Sequence, residues 1–281
     1  FSFFATAEIP ALLGAKCVFV DIDPETYLID CDQVTAAITD KTKAIMPVSL
    51  YGQMADMTKL SAIADAADHK IYVIEDAAQS FGATQNGVQS CNASELACTS
   101  FFPAKPLGAY GDAGAVFTNN AELAEKMKAL RVHGQTRRYY HDYIGINARC
   151  DALQAAIMDV KLRHYPEEVA KRAALGARYS ELLADADVIT PHTTVGNTHV
   201  YAQYTIRVKD RDAVAKTLNV QGIPTAVHYP IPMHLQPCFV NLGYKEGSFP
   251  VAEQAAKEVM SLPISAYLTT EQQATIAKAL Y

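Results

Sequence analysis

"DMTKLSAIADAADHKIYVIEDAAQSFGA", residues 56–83, decides the fold. Its first part carries Met57, Leu60, Ile63, Ala64 and Ala67 at the spacing of a helix with one apolar face, opened by Asp56 as a candidate N-cap. Residues 71–76 then form a short, almost continuous apolar run that ends in a polar turn. A helix feeding a strand that is apolar on both faces implies a βαβ unit and a mostly parallel sheet covered on both sides. "KAIMPV" (43–48) supplies the strand before the helix, and "CVFVDI" (17–22) is another run of the same kind. Shorter runs at "LACTSF" (96–101) and "GAVFTN" (114–119) extend the sheet.

Further along, helical patterns cover 121–133, 150–165 and 166–185, the last with Pro166 at its start. From about 186 the composition shifts. A strand lies within 192–210 and a helix over 212–221, followed by the Pro-rich loop "HYPIPMHLQP" (228–237) and two terminal helices. The reading is an α/β chain with a large domain over 1–165. A smaller α+β domain over 166–281 joins it through the 166–185 helix.

Composition removes several classes of function. The chain has 281 residues, with 24 Lys+Arg against 30 Asp+Glu and a net charge of −6. No long run of like charge occurs, which argues against a dedicated nucleic-acid binder, whose affinity rests on clustered cations. The six cysteines form no C-x-x-C pair and no metal spacing with histidine, so no metal is expected. They read as core thiols of a reducing compartment, and hence of a cytoplasmic protein. No apolar run approaches the roughly 20 residues needed to span a bilayer, so no membrane partner is expected. The opening "FSFFATAEIPALLGAKCVFVDID" lacks an initiator Met and a basic leader. It reads as the middle of a protein rather than a signal peptide.

Lysine chemistry stands out in "SFFPAKPLGAYGDAGA" (100–115). Lys105 sits between Pro103 and Pro106, with Phe101, Phe102 and Leu107 as apolar surroundings. A lysine becomes a nucleophile or proton carrier when desolvation or nearby positive charge lowers its pKa. Read alone, Lys105 is either such a residue or an ordinary loop cation. Asp76 lies at the carboxyl end of a buried strand, where ligands bind in open α/β sheets, and the turn after it is small and nearly uncharged (Ala77, Ala78, Gln79, Ser80). One lysine and one carboxylate in that relation suit pyridoxal phosphate. That cofactor needs an amine to hold it covalently and an acid to keep its ring nitrogen protonated.

"VIEDAAQSFGA" followed by "TSFFPAKPLGAYGDAGAVFTN" is similar to the nucleotide-sugar aminotransferases of the DegT/DnrJ/EryC1/StrS group. The likeness continues through "FFATAEIPALLGAKCVFVDIDPETY", "TKAIMPVSLYGQMADM", "RVHGQTRRYYHDYIGINARCDALQAAI" and "GIPTAVHYPIPMH" to the last helix, and so covers essentially the whole chain. The resemblance implies the fold-type I aspartate-aminotransferase architecture and dependence on pyridoxal 5'-phosphate. It implies that Lys105 carries the cofactor and then moves the substrate proton. Asp76 would pair with the pyridinium nitrogen, Gln79 lie near the ring hydroxyl, and Ser100 donate to the phosphate. Phe3, with Phe4 as the alternative, would stack on the ring.

Read alone, Asn147 in "YIGINAR" is a turn or cap residue and Arg149 a surface cation. The resemblance places Asn147 at the phosphate of a neighbouring subunit's site and lets Arg149 reach the substrate, making the active site a product of a homodimer. His228 and Tyr229 resemble the substrate loop, held extended by two prolines. His133 and His234 stay unassigned. Arg137, Arg138 and Tyr140 could hold a diphosphate or a uronate, or form a basic surface turn. Two departures stand out. The family's phosphate-gripping helix lies upstream of the region with which this chain opens, so a preceding segment is expected. Ser49 stands where many relatives have histidine.

The activity implied is transfer of an amino group from L-glutamate to a keto-sugar nucleotide, for amino sugars of surface polysaccharide. The lysine and Pro-rich loops resemble most the members acting at C3 of a UDP-linked 2-acetamido-3-keto uronic acid. Members acting on dTDP-3-keto-6-deoxyhexoses have closely similar loops. The other readings weighed are a sugar dehydratase, a non-catalytic sensor or regulator that keeps the fold, and a dinucleotide oxidoreductase. Lys105 opposes the dehydratase type that replaces this lysine with histidine. The intact Lys105, Asp76 and Gln79 set opposes the regulator. Glycines 108, 111 and 114 do not have the spacing of a dinucleotide turn.

Overall fold

A computed structural model describes residues 1–281. Its helices are α1 (Ala5–Leu12), α2 (Cys31–Ala37), α3 (Met57–Asp65), α4 (Ala121–Leu130), α5 (Ala152–Leu182), α6 (Arg211–Val220), α7 (Pro250–Glu258) and α8 (Thr270–Lys278). Its strands are β1 (Ala44–Ile45), β2 (Tyr72–Asp76), β3 (Thr84–Gln85), β4 (Val88–Gln89), β5 (Leu96–Ser100), β6 (Gly114–Phe117), β7 (Gln135–Arg137), β8 (Tyr140–His141), β9 (Tyr204–Arg207) and β10 (Val259–Leu262).

The main sheet has the order β1-β2-β5-β6. β2 runs parallel to β1 and β5, whereas β6 is antiparallel to β5. The crossover from β1 to β2 passes through α3, whose N-terminus is capped by the Asp56 carboxylate accepting from Lys59 N–H at 3.0 Å. A cap of this kind contributes about 1 kcal/mol. Met57, Leu60 and Ala64 on α3 are buried against Ile45, Ile71 and Val73, so the helical period of the quoted stretch is the face that covers the sheet.

A second core joins the buried rings of Tyr179, Tyr201 and Tyr204 to Ile206, Leu218, Met260 and Ile276, around the antiparallel β9–β10 pair. A third core packs α7 residues Ala252 and Ala255 against Ile22, Tyr27, Leu50 and Tyr51, so α7 belongs with the first part of the chain in space.

Four expectations are corrected. Residues 17–22 form no strand, and only Ile22 is bridged, to Ile29. The reason is that this run bonds to distant groups instead of a sheet neighbour. Phe19 N–H donates to the Tyr244 hydroxyl, and the Asp21 carboxylate caps α7 by accepting from Val251 and Ala252 N–H at 2.9 and 2.8 Å. Pro166 does not start a helix but lies inside α5, which runs through it unbroken. An interior proline costs about 3 kcal/mol, and the burial of Tyr165, whose hydroxyl donates to Phe81 O at 2.6 Å, opposes that cost. Strand β10 lies between the two terminal helices, where none was expected. Finally, Cys150 and Cys238 are exposed rather than core thiols. Burial does push the thiols of Cys91 and Cys98 up to about 12. No helix is long and apolar enough to cross a membrane.

Candidate active site

The carboxyl ends of β2 and β5 bring the chemistry together. Asp76 is the last residue of β2, and Ser100 the last of β5. Alternation along β2 sends the side chain of Glu75 the other way, into the interior. There it is fully buried and accepts from the hydroxyls of Ser49 (3.0 Å) and Ser90 (2.8 Å) and from Cys91 N–H (2.7 Å). That is the role of Ser49 here: it donates to Glu75 and accepts from Ala55 N–H at 3.3 Å, tying the 49–55 turn to the sheet.

Asp76 faces the site half-buried. Its Oδ2 accepts from the Thr6 hydroxyl at 2.7 Å and its Oδ1 from Ala78 N–H at 3.1 Å. Lys105 stands in the field of that carboxylate. Burial lowers the lysine pKa below its usual value, and Asp76 opposes the shift. The loop carrying Lys105 is fixed at several points. Its own N–H donates to Phe102 O at 2.8 Å, Lys161 Nζ on α5 donates to Gly108 O, and Tyr110 N–H donates to Gln154 Oε1 at 2.8 Å. Gly108 permits the tight return of this loop, since a Cβ there would lie 2.5 Å from Pro103 O. Leu107 is buried, but Phe102 is half exposed, so the apolar wall comes less from Phe102 than its sequence position suggested.

His228 and Tyr229 close the cluster. Burial lowers the His228 pKa first, and the Lys105 ammonium lowers it further. Its Nδ1 lies 3.0 Å from Ser261 Oγ. Burial pushes the Tyr229 hydroxyl up to about 12, with Gln79 opposing and Asp76 adding to the shift. Gln79, 3 % exposed, uses both ends of its amide inside the chain. Oε1 accepts from Tyr51 N–H at 2.6 Å, and Nε2 donates to the Tyr229 hydroxyl at 3.2 Å. Phe3 turns its ring to Tyr229, with centroids 5.8 Å apart, and stays 56 % exposed. Phe4 instead packs on Phe239 at 5.5 Å. Of the two, Phe3 is the ring beside the cluster.

The chain matches the DegT/DnrJ/EryC1/StrS aminotransferase family over residues 1–281. It belongs to that family. It is 52 % identical over 280 residues to the UDP-2-acetamido-2-deoxy-3-oxo-D-glucuronate aminotransferase of Pseudomonas aeruginosa, covering 100 % of this chain and 77 % of that protein. It is equally 52 % identical, over 283 residues, to the "Pleiotropic regulatory protein" of Geobacillus stearothermophilus, covering 100 % of this chain and 76 % of that one. A crystal structure of a DegT DnrJ EryC1 StrS aminotransferase from Brucella abortus superposes with a TM-score of 0.95 at 39 % identity, covering 100 % of this chain and 76 % of that one. The fold is therefore the α/β architecture of these aminotransferases. The protein is a sugar aminotransferase that depends on pyridoxal phosphate.

The donor set of this DegT-family site fits that cofactor: a desolvated lysine amine, and a carboxylate with one protein donor on each oxygen and lone pairs to spare. The Ser100 hydroxyl, half-buried at the end of β5, accepts from Phe102 N–H at 3.2 Å and keeps its own proton to donate.

Asn147 and Arg149 lie differently. Both are exposed, and their side chains bond to each other, Arg149 Nε donating to Asn147 Oδ1 at 3.0 Å. Nearby, Arg137 stacks on Tyr140 (3.7 Å to the ring centroid) and Arg138 lies over Tyr139 (5.1 Å). Sequence reasoning missed Thr6 and Tyr51, whose buried hydroxyl donates to His228 O. A hydroxyl in a short helix and a tyrosine before a glycine carry no local mark of what they reach.

Proposed function

We propose that this enzyme moves an amino group from L-glutamate to C3 of a UDP-linked 2-acetamido-3-keto uronic acid, on a homodimer whose two sites each draw residues from both subunits. The observation that carries the chemistry is Lys105, desolvated in its fixed loop, within the field of Asp76 at the end of β2. The substrate assignment is supported by the 52 % identity to the Pseudomonas aeruginosa enzyme of that name. Pyridoxal phosphate, when bound, supplies an aldehyde for a covalent link to an amine and a ring that withdraws electrons from the adjacent carbon.

The chain's own residues do the rest. Lys105 Nζ would hold the cofactor and, as the chain's proton carrier, would take and return the substrate proton. Asp76, held in place by two donors, would pair with the ring nitrogen. Phe3 would cover one face of the ring, Gln79, beside Tyr229, would serve the ring hydroxyl, and Ser100 would donate to the phosphate. Asn147 would reach the phosphate of the partner's site. Arg149 meets the substrate, as do His228 and Tyr229. The exposed apolar side chains around Asn147 (Tyr139, Tyr143, Ile144 and Ile146) support a covering partner subunit. We place the division between large and small domains near 165/166, within α5, with α7 packed on the larger. The setting proposed is cytoplasmic amino-sugar synthesis for surface polysaccharide.

The visible absorption of the protein with pyridoxal phosphate tests the first half. A band that requires Lys105 and bleaches on adding L-glutamate is expected. A bleached enzyme that returns to its starting spectrum with the UDP-3-keto uronic acid, and not with a dTDP-3-keto-6-deoxyhexose, establishes the second half. Return only with the dTDP sugar reverses the substrate assignment. No Lys105-dependent band at all moves the protein to the regulatory role that the Geobacillus stearothermophilus name describes for that relative.

A further inference from the structure

We infer that Thr6 is a positioning residue for the reaction. Its hydroxyl aims the Asp76 carboxylate and locks helix α1, with Phe3 just ahead of it, onto the end of β2. The inference rests on the proposed roles of Asp76 and Phe3.

Thr6 is an unusual use of a helical threonine. Threonine is a modest helix former, and inside a helix its hydroxyl ordinarily bonds back to a carbonyl of the preceding turn. Here the hydroxyl leaves its helix and donates to Asp76 Oδ2 at 2.7 Å, across 70 residues of sequence. That is the usual length of a well-formed bond from a hydroxyl to an oxygen acceptor. Thr6 and Ala7 are the only buried residues of α1, whose Ile9 and Leu12 are exposed. The inward hold of this short helix therefore depends heavily on that one bond and on the packing of Ala7 against Met233 and Phe239.

The bond also closes a circuit around the site. From Asp76 the chain runs three residues to Gln79, which donates to the Tyr229 hydroxyl. The Tyr229 ring meets Phe3 at 5.8 Å. Phe3 is three residues from Thr6, and Thr6 returns to Asp76. Each member is fixed by the next, so the distance between the carboxylate and the Phe3 ring is set from both sides. With Ala78 N–H on Oδ1 and Thr6 on Oδ2, the carboxylate plane cannot turn without losing a donor. A carboxylate that would pair with the cofactor's ring nitrogen benefits from this, because positioning cost is then met in folding rather than in binding.

The experiment is a double-mutant cycle on cofactor affinity. Pyridoxal phosphate is titrated into apoprotein of wild type, Thr6→Val, Asp76→Asn and the pair, with Thr6→Ser as the conservative variant. Thr6→Val keeps the shape and removes the donor. It is expected to weaken binding about tenfold, as loss of a hydrogen bond to a charged group does. In the Asp76→Asn background the same change is expected to weaken binding less than about twofold, because the two act as a unit. Thr6→Ser is expected to restore wild-type affinity. Thermal melting of each apoprotein shows whether it is folded.

Full additivity of the two substitutions overturns the inference, as does a Thr6→Val protein that melts like wild type and binds the cofactor equally well. So does failure of Thr6→Ser to recover affinity while remaining folded. If wild type itself forms no Lys105-dependent band, the proposed function fails and this role falls with it. A wild-type band with additive costs removes only the role of Thr6.

Discussion

The Lys105 cluster and the 133–149 segment are both built for one reaction on the proposed reading, yet they are held in opposite ways. Around Lys105 the polar groups find partners within the chain. Asp76 takes Thr6 and Ala78, Gln79 takes Tyr51 and Tyr229, and His228 takes Tyr51 and Ser261. In the other region Asn147 and Arg149 hold only each other, and Ile144 is 100 % exposed. The backbone there is nonetheless tightly specified. Gly134 has φ +72°, and a Cβ on it would lie 1.8 Å from Tyr143 O. An exposed segment whose shape is this constrained presents a surface rather than wandering. On that reading, one half of the site finds its partners within a single chain, whereas the other half leaves its side chains for a partner subunit to cover.

The largest expected effect breaks the inner half. Lys105→Ala should lower kcat at least about a thousandfold, since it removes both the covalent tether and the proton carrier. Because Lys105 is partly buried and takes part in none of the ion pairs, the melting temperature should hold or rise. Steady-state rates and melting curves check this together. A smaller loss of kcat would mean that another group moves the proton.

The outer half is broken by Ile144→Asp. A side chain that is fully exposed in the single chain contributes nothing to its own fold, so the stability of the subunit should stay within about 0.5 kcal/mol. Self-association, measured by sedimentation, should weaken about tenfold or more if the charge enters a buried contact. Unchanged association would place the partner surface elsewhere. The two halves are then joined in one test. Lys105→Ala and Asn147→Ala proteins, each impaired, should regain roughly a quarter of wild-type activity when mixed, because half of the dimers are hybrids and each hybrid has one intact site. No recovery in mixtures shown to contain hybrids would sink the shared site.

How much of this was legible depended on where the deciding interaction lay. The α3–β2 unit could be read directly, because its helical period and its capping aspartate are local. The loop of Lys105 could be read because prolines and glycines mark it. Residues 17–22 misled, since an apolar run implies a strand only when a neighbour pairs with it, and here the partners are Tyr244 and the start of α7. Pro166 misled because packing of Tyr165 overrode a local signal. Thr6 and Tyr51 left no trace, since each acts on a residue at least 70 positions away or through backbone atoms. The assignment of Asn147 and Arg149 came from likeness alone, because nothing in a single chain shows what an exposed side chain will meet.

The smallest expected effect sharpens the account of the inner half. His228 is held below the usual histidine pKa first by burial and then by the Lys105 ammonium. Lys105→Ala removes the second cause and leaves the first, so the imidazole should titrate at a higher pH in the variant than in wild-type apoprotein, and still below an unburied histidine. The sign follows because a nearby cation disfavours a second one. Asp76→Asn should act on the lysine itself: without the carboxylate that raises it, the lysine pKa falls further. An NMR titration of the His228 ring protons in the three apoproteins separates the two causes. An unchanged His228 midpoint in Lys105→Ala would mean that burial alone sets it, and that the two side chains do not share one electrostatic site.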